Sequence, residues 1–292
     1  MNSQPGVPGI PTFSSIEAIR EFVATCRRRG QSIGFVPTMG ALHAGHLSLA
    51  QRSKVECDVT VVSIYVNPSQ FGPQEDFTRY PRPLEQDLLL LDGHADAVFL
   101  PTDDLMYPVN FSTWVNPPEI SNSLEGEFRP THFRGVATVV LKLLNLVTPD
   151  CAYFGQKDYQ QLQVIRKMVD DLQVPVKVVG CPIVRDEHGL ALSSRNAYLT
   201  DEQRQRALAL SRTLDSAERA IRNGESDGHA LMAEMKQHLI DGGVSDLDYA
   251  VVADPHTLRL MEHVHLPAVL LLAAHVDQVR LIDNRLIEPT SA

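Results

Sequence analysis

Apolar runs and amphipathic segments alternate along the first 180 residues of the chain. After Ser14-Ser15, apolar residues recur at helical spacing until Gly30, which predicts a capped amphipathic helix. The segment 59–66 is an apolar strand of the kind that is buried in a parallel sheet. Strands that alternate with helices indicate βαβ units, and therefore an α/β fold with a parallel sheet. The other predicted strands are 33–36, 97–100, 151–154 and 174–179, and the other predicted helices follow Gly45 or cover 84–91, 135–147 and 159–169.

The pattern changes near a turn signal at residues 186–189. The elements predicted beyond it are two helices from residue 201, broken at Asn223-Gly224, and strands at 247–252, 269–274 and 279–282. They indicate a separate, smaller α+β domain. We therefore expect one domain at 1–186, which includes a β-rich segment at 111–115, and a second at 187–292.

Composition and charge narrow the possible partners. Of the 292 residues, 43% are hydrophobic and 21% charged, as in ordinary soluble globular proteins. The 36 acidic residues exceed the 26 basic ones, and this net charge of −10 argues against a nucleic-acid-binding surface. The longest apolar run, 268–274, is far shorter than a membrane span, and the N-terminus lacks a signal-peptide pattern. We expect a cytoplasmic protein without nucleic-acid or membrane partners.

A histidine motif follows the predicted strand 33–36. Gly40 and Gly45 have the spacing of P-loop glycines, but His46-Leu47 stands where a P-loop needs Lys-Ser/Thr. The remaining pattern, His43-x-Gly-His46, begins a helix, where backbone amides and the helix dipole favour a phosphate. The histidines would donate hydrogen bonds or charge to it, or alternatively they cap the helix or lie in the core. Zinc would need a third ligand, and no His or Cys cluster supplies one.

Two further segments carry groups that suit phosphate. Gly155-Gln156-Lys157-Asp158 follows a buried strand and opens a helix, so we expect Lys157 at the sheet edge where open α/β folds bind ligands. Leu192-Ser193-Ser194-Arg195 lies between the predicted domains, and its hydroxyls and guanidinium suit a phosphate clamp. Taken alone, the first is more typical of a solvated surface lysine, and the second of a Ser-rich turn with a surface arginine. We expect both to converge with the histidine motif on one crevice.

Long ordered strings of residues resemble the pantoate–β-alanine ligases, a family of the nucleotidyltransferase group with a His-x-Gly-His type motif. The resemblance covers nearly the whole chain, with Leu192 as a small departure at a position that is often Met. It implies a Rossmann-like parallel-sheet domain that binds ATP and pantoate, followed by a smaller α+β domain that closes over the active site. The strings that carry it are 37–46, 62–71, 80–82, 133–138, 154–158 with Gln161, 193–196 and 281–284.

The resemblance implies a two-step reaction. The carboxylate of pantoate attacks the α-phosphorus of ATP, which gives pantoyl adenylate and pyrophosphate, and the amine of β-alanine then displaces AMP. Such phosphoryl chemistry needs mainly positioning and charge neutralisation. The implied partners are pantoate, β-alanine and ATP with Mg²⁺, and a second copy of the chain in a homodimer. No metal site formed by protein side chains is expected.

The resemblance also assigns site residues. Gln70 and Gln161 match the family's pantoate-binding glutamines, whose neutral amides suit a carboxylate or a hydroxyl without opposing the charge of the nucleophile. Asp87 either assists magnesium or lies on a solvated helix face. The implied catalytic residues are His43, Lys157, Arg195 and His46, the family's proton donor. The implied ATP-binding residues are Met39, Gly40, Ala41, Leu42, His43, Ala44, Gly45, His46, Gly155, Gln156, Lys157, Asp158, Val184, Leu192, Ser193, Ser194 and Arg195, with the backbone of Val184 beside adenine.

Two other functions stay open at the level of sequence. An adenylyltransferase of the same superfamily would transfer AMP to a phosphorylated acceptor, and the mass of the product would distinguish it. A non-catalytic nucleotide-binding regulatory module would be expected to lack His46 or Lys157, and this chain has both.

Overall fold

The structure is a computed structural model that describes residues 9–73 and 75–289. The chain divides into two compact units. The first runs to Gln156 and includes Gln161–Pro182, whereas the second takes Lys157–Gln160 and continues from Ile183. The domain boundary predicted after residue 186 lies a few residues beyond Ile183, and the closing of one domain over the other stays a prediction.

In the described part of the first unit, six strands form one parallel sheet, in the order β1-β4-β3-β2-β5-β6. Each pairing within it is parallel. Phe35 and Val61 in its centre are completely buried, as expected for apolar strands covered on both faces. The strands are β1 (Thr12–Phe13), β2 (Ile33–Thr38), β3 (Val59–Ile64), β4 (Ala97–Phe99), β5 (Cys151–Gly155) and β6 (Lys177–Cys181).

Helices cover both faces of this sheet. Its helices are α1 (Ile16–Arg28), α2 (Ala44–Glu56), α3 (Leu84–Leu91), α4 (Asp103–Met106), α5 (Glu125–Phe128), α6 (His132–Val147) and α7 (Tyr159–Asp171). One core joins α1, α6 and α7 through residues such as Ile19, Leu144 and Ile165. A second core joins α2 and α3 through Leu49 and Leu88. None of the helices in the described ranges is long and apolar enough to cross a membrane.

The order of the strands places a switch point between β2 and β5. From β2 the chain continues to β3 and β4 on one side, whereas β5 and β6 lie on the other. In open α/β sheets, ligands bind at the carboxyl ends of the strands at such a point. The histidine motif comes directly after β2, and it therefore lies at this edge of the sheet.

Two local predictions in the first unit are wrong. Residues 111–118 form no regular secondary structure, because the aromatic side chains at 111–115 pack on one another and not in a sheet. The rings of Phe111 and Trp114 lie 5.1 Å apart, and the N–H of Val115 donates to Thr138 Oγ1 on α6. The strand predicted at 174–179 begins only at Lys177, because Pro175 lacks the N–H that a ladder requires.

The second unit is an α+β domain, as predicted. Within its described residues, three antiparallel strands pair in the order β7-β8-β9. Two helices pack against this sheet and bury a separate apolar core that includes Leu210, Leu239 and Leu270. The elements are α8 (Asp201–Arg222), α9 (Gly228–Asp241), β7 (Asp246–Ala253), β8 (Ala268–Val276) and β9 (Val279–Ile287).

Helix α6 approaches the segment after β3 so closely that Gly135 has no room for a side chain. A Cβ there would lie 2.4 Å from the Ser69 carbonyl oxygen and 2.7 Å from Gln70 Cα. Although alanine favours a helix more than glycine does, we expect Gly135→Ala to lower the free energy of unfolding by about 1–3 kcal/mol through overpacking. Urea denaturation measures this change.

The matched control is Gly72→Ala. The nearest neighbour of a Cβ at Gly72 would be Glu75 Oε1, 3.4 Å away, which is an ordinary van der Waals distance. An unfolding midpoint for Gly135→Ala equal to that of the control would show that the close approach is unimportant.

Candidate active site

Asp87 fixes the loop that follows β2. It is 1% exposed, and its carboxylate accepts hydrogen bonds from the backbone N–H groups of Ala41 (2.8 Å) and Leu42 (2.7 Å). Burial raises the pKa of Asp87, although the two amide hydrogen bonds act in the opposite direction. The interpretation of Asp87 as a residue on a solvated helix face is therefore wrong, because α3 turns this side chain inward.

The two motif histidines cap helix α2. The Nδ1 atom of His43 accepts a hydrogen bond from the N–H of Gly45 at 3.1 Å, and His46 Nδ1 accepts from the N–H of His43 at 3.4 Å. The ring centroids lie 4.1 Å apart. A ring nitrogen that accepts a backbone hydrogen carries none itself, so each neutral imidazole has its hydrogen on Nε2. The capping alternative is thus confirmed.

Backbone amides of this loop are used within the protein. Besides the amides already described, the N–H of Gly40 donates to Thr38 Oγ1 at 3.2 Å. The N–H groups of His46 and Leu47 donate to the His43 carbonyl at 2.8 and 3.1 Å. These amides have partners within the protein, and the expectation that the helix start binds a phosphate stays a prediction. Side-chain donors and the helix dipole are further features of this loop that suit a phosphate.

A chain of hydrogen bonds sets the orientation of the Gln70 amide. The backbone N–H of Ser69 donates to Asn67 Oδ1 (3.3 Å), and Tyr107 Oη donates to the same oxygen (2.8 Å). Asn67 Nδ2 therefore donates to Gln70 Oε1 (3.0 Å) and to the Gly135 carbonyl (3.3 Å). Because Oε1 is engaged in this way, Gln70 keeps its Nε2 hydrogens for other acceptors.

The sulfur of Met39 is one such acceptor. Gln70 Nε2 donates to Met39 Sδ at 3.0 Å, so the structure brings together a residue assigned to ATP and a residue assigned to pantoate. Gln161 is half-buried in the first turn of α7. Gly155 ends strand β5, and Gln156 begins the short 3-10 helix that follows it.

Side chains of two other residues hold the backbone carbonyl of Gln70 in place. This carbonyl accepts hydrogen bonds from His132 Nδ1 (3.0 Å) and from Arg129 (3.4 Å). Arg129 in turn makes two hydrogen bonds to Glu75 (2.6 and 2.7 Å) and lies 3.6 Å from Glu125. Burial, assisted by the charge of Arg129, lowers the pKa of His132 to about 4. His132 is therefore neutral at physiological pH and donates from Nδ1.

In the second unit, a buried polar network holds the backbone at Lys157. The side-chain amide of Asn284 donates to the Lys157 carbonyl at 2.8 Å. The neighbouring Asp283 accepts two hydrogen bonds from Arg185 at 2.6 and 2.8 Å and one from the Asn284 N–H at 2.7 Å. Asn284 and Asp283 are 4% and 3% exposed. The network anchors the main chain and leaves Lys157 itself half-buried.

The serine and arginine segment forms a short 3-10 helix, Ser194–Tyr198. Ser193 caps this helix, since its Oγ accepts from the N–H of Arg195 at 3.3 Å. Ser193, Ser194 and Arg195 are half-buried. Leu192 lies just before this 3-10 helix, and its N–H donates to the carbonyl of Val184 at 2.9 Å. Two residues predicted to bind ATP are therefore in contact.

Sequence reasoning assigned no role to several residues that shape these sites. Asn67 follows β3 as the histidine motif follows β2, and that position at a strand end is a signal that could have found it. For His132 and Asn284 no local pattern indicates burial.

The parallel sheet and the loop at its switch point define an α/β protein of the kind that binds ligands at the carboxyl edge of the sheet. The sequence model of the family described as Pantoate-beta-alanine ligase matches residues 11–286. The chain therefore belongs to the pantoate–β-alanine ligase family, whose members are amide-bond-forming enzymes.

Relatives and solved structures agree with this assignment. The chain is 48% identical to the pantothenate synthetase of Thermotoga petrophila, over 94% of this chain and 99% of the relative. It is 50% identical to that of Brucella canis, over 94% of each chain. The crystal structure of pantothenate synthetase from Thermus thermophilus superposes with a TM-score of 0.90 at 43% identity, covering 96% of this chain and 100% of that one.

A pantoate-beta-alanine ligase from Francisella tularensis, complexed with beta-gamma ATP and β-alanine, is also similar. It has a TM-score of 0.80 and 36% identity, and covers 95% of this chain and 98% of that one.

The buried His132 makes stability depend on pH. An unfolded histidine takes up its proton near pH 6.5, whereas folded His132 does so only near pH 4. Between these values the unfolded chain binds more protons, so acidification lowers the free energy of unfolding by about 1.4 kcal/mol per pH unit from this group. We expect His132→Asn, whose Nδ2 can still donate to the Gln70 carbonyl, to flatten this slope. Urea denaturation from pH 7 to pH 4.5 measures it.

Asparagine in place of the exposed His256 is the matched control, and it should keep the slope of the original chain. The same slope in His132→Asn as in this control would contradict a neutral, buried His132.

Proposed function

We propose that this chain condenses pantoate with β-alanine through a pantoyl-adenylate intermediate. A carboxylate oxygen of pantoate forms a bond to the α-phosphorus of ATP while the bond to the β-phosphate oxygen breaks and pyrophosphate leaves. The β-alanine amine then attacks the acyl carbon, AMP leaves, and the nitrogen releases a proton. The main support for this proposal is that the chain belongs to the pantoate–β-alanine ligase family. The ligand-bound Francisella tularensis structure supports it.

We assign the donor role in the first step to His46 and His43. Because both Nδ1 atoms accept backbone hydrogens, Nε2–H of each ring is the group that can donate to phosphate oxygens. Their position at the start of α2 adds the positive end of the helix dipole. The motif therefore stabilises negative charge that develops on the α-phosphate and on the leaving pyrophosphate.

We assign pantoate to Gln70 and Gln161. The hydrogen bonds around Gln70 supply a physical reason, since Oε1 accepts from Asn67, and Nε2 has a second hydrogen besides the one that it donates to Met39 Sδ. An N–H donor fits a carboxylate or hydroxyl oxygen of pantoate and does not oppose the negative charge of the nucleophile. Gln161 is assigned by its match to the family motif.

We assign the remaining phosphate contacts to Lys157, Ser194 and Arg195, and expect Mg²⁺ to enter with ATP. A lysine and an arginine supply the point charge and the planar fork that bind phosphate oxygens. In the described ranges, no group of three or more His, Cys, Asp or Glu side chains could hold a metal ion. We further propose a cytoplasmic homodimer, as the family resemblance implies.

Pyrophosphate–ATP exchange tests the proposed function directly. With pantoate present and β-alanine absent, the adenylate forms and reverts, so label from pyrophosphate should enter ATP. The exchange should require pantoate. Exchange that is absent, or that proceeds equally without pantoate, would overturn the proposal.

Substitution of His46 should impair the first step specifically. We expect His46→Ala to slow pantoate-dependent exchange by about 10²–10⁴-fold, the usual contribution of a positioned donor. Because the side chain also caps α2, the loss should be compared with His46→Asn, which can accept the same N–H and lacks the Nε2 donor. If either variant keeps exchange near that of the original chain, His46 has no role in phosphate chemistry.

Substitution of Gln70 should affect pantoate far more than ATP. In Gln70→Glu one carboxylate oxygen would still accept from Asn67, and the other would face the pantoate carboxylate in a desolvated site, where like charges repel strongly. We expect KM for pantoate to rise at least about tenfold, with KM for ATP nearly constant. Gln205→Glu, on the exposed face of α8, is the control. Equal increases in both KM values would place Gln70 outside the pantoate site.

A further inference from the structure

The loop after β2 has the backbone geometry of an anion site. Gly40 and Ala41 have φ values of +78° and +50°, so two consecutive residues adopt the left-handed conformation. Successive N–H groups where the backbone turns can converge on a concave site that suits an anion. Here the converging N–H groups are those of Ala41 and Leu42.

The anion in this site belongs to the protein itself. Each oxygen of the Asp87 carboxylate accepts one of the two N–H groups, at 2.8 and 2.7 Å. Asp87 is 1% exposed. The fit is close, since a Cβ on Gly40 would lie 2.9 Å from Asp87 Oδ2 and 3.0 Å from Ile64 Cγ2.

We propose that Asp87 is a positioning residue for adenylation: its carboxylate fills the anion site of the loop, keeps nucleotide phosphates off the amides of Ala41 and Leu42, and thereby sets the position of His43. This inference rests on the proposed nucleotide-binding role of the loop. It differs from a magnesium ligand, because both oxygens already accept amides and burial separates them from solvent. A carboxylate that binds the loop in this way acts through the residues it holds and touches no substrate.

The test compares Asp87→Asn with the original chain. Asparagine has nearly the same volume, but its NH₂ group would face one of the two backbone N–H donors. We expect kcat/KM for ATP in pantoate-dependent exchange to fall about 10- to 100-fold, which corresponds to the loss of one buried charge-assisted hydrogen bond. KM for pantoate and the Mg²⁺ concentration for half-maximal rate should stay within about threefold. Rates are expressed per folded site, from calorimetric titration with α,β-methylene ATP.

Two more variants make the test specific. Glu85→Gln removes one negative charge from the same turn of α3 at an exposed position, and it should leave all these constants unchanged. In Gly40→Ala the added methyl group would crowd the same carboxylate from the loop side. This variant should show the same fall in kcat/KM for ATP as Asp87→Asn, with KM for pantoate and the Mg²⁺ requirement nearly constant. If Asp87→Asn does not fold, kcat/KM for ATP in Gly40→Ala is the measurement that tests the proposal.

The outcomes separate the possibilities. A normal kcat/KM for ATP per folded site in Asp87→Asn, with only a lower melting temperature, would show a purely structural role and overturn the inference. A shift of about tenfold or more in the Mg²⁺ requirement would also overturn it, in favour of direct metal binding. Failure of the proposed function itself is recognised differently, because the original chain would then show no pantoate-dependent exchange.

Discussion

Hydrogen bonds from backbone amides to side chains of the same unit hold the loop after β2, and the rest of the site depends on them. The carboxylate of Asp87 and the imidazoles of His43 and His46 accept N–H groups that would otherwise face solvent or a ligand. In a P-loop the same kind of amides bind phosphate directly. Here they position side chains, and in the proposed function the Nε2–H groups of the histidines would act as the phosphate donors. Under that proposal, glycine spacing without Lys-Ser/Thr would still indicate a phosphate site.

Much of the fold could be predicted from periodicity, because buried parallel strands and amphipathic helices have distinct patterns. The sheet, the helices at 84–91 and 159–169, and the antiparallel second unit all follow from that signal. The prediction was wrong at 111–115, where β-branched and aromatic residues have strand propensity but pack on α6 instead. Propensity records how well a residue fits a half-buried surface, and at 111–115 helix α6 offers that surface in place of a sheet.

The candidate site was less predictable, because its supporting contacts join distant parts of the chain. The motif around His46 is local and could be found by inspection. Asp87 contacts a loop more than forty residues away, and no pattern on α3 indicates that it turns inward. Gly45 illustrates the same limit: its missing side chain leaves room for the His43 ring, since a Cβ would lie 2.8 Å from His43 Cε1. Only the folded chain reveals which atom fills the space beside a glycine.

The restraints on Gln70 have a thermodynamic consequence. A glutamine side chain that is free to rotate loses on the order of 1.5–2 kcal/mol of conformational entropy when it is fixed. In this chain Asn67 holds the side-chain amide of Gln70, and His132 holds the backbone carbonyl of the same residue. That entropy is lost during folding, so a ligand that meets Gln70 binds to a rigid donor and retains more of its interaction energy as affinity. If Gln70 binds pantoate as proposed, the same rigidity would narrow the range of acids that this donor can accommodate.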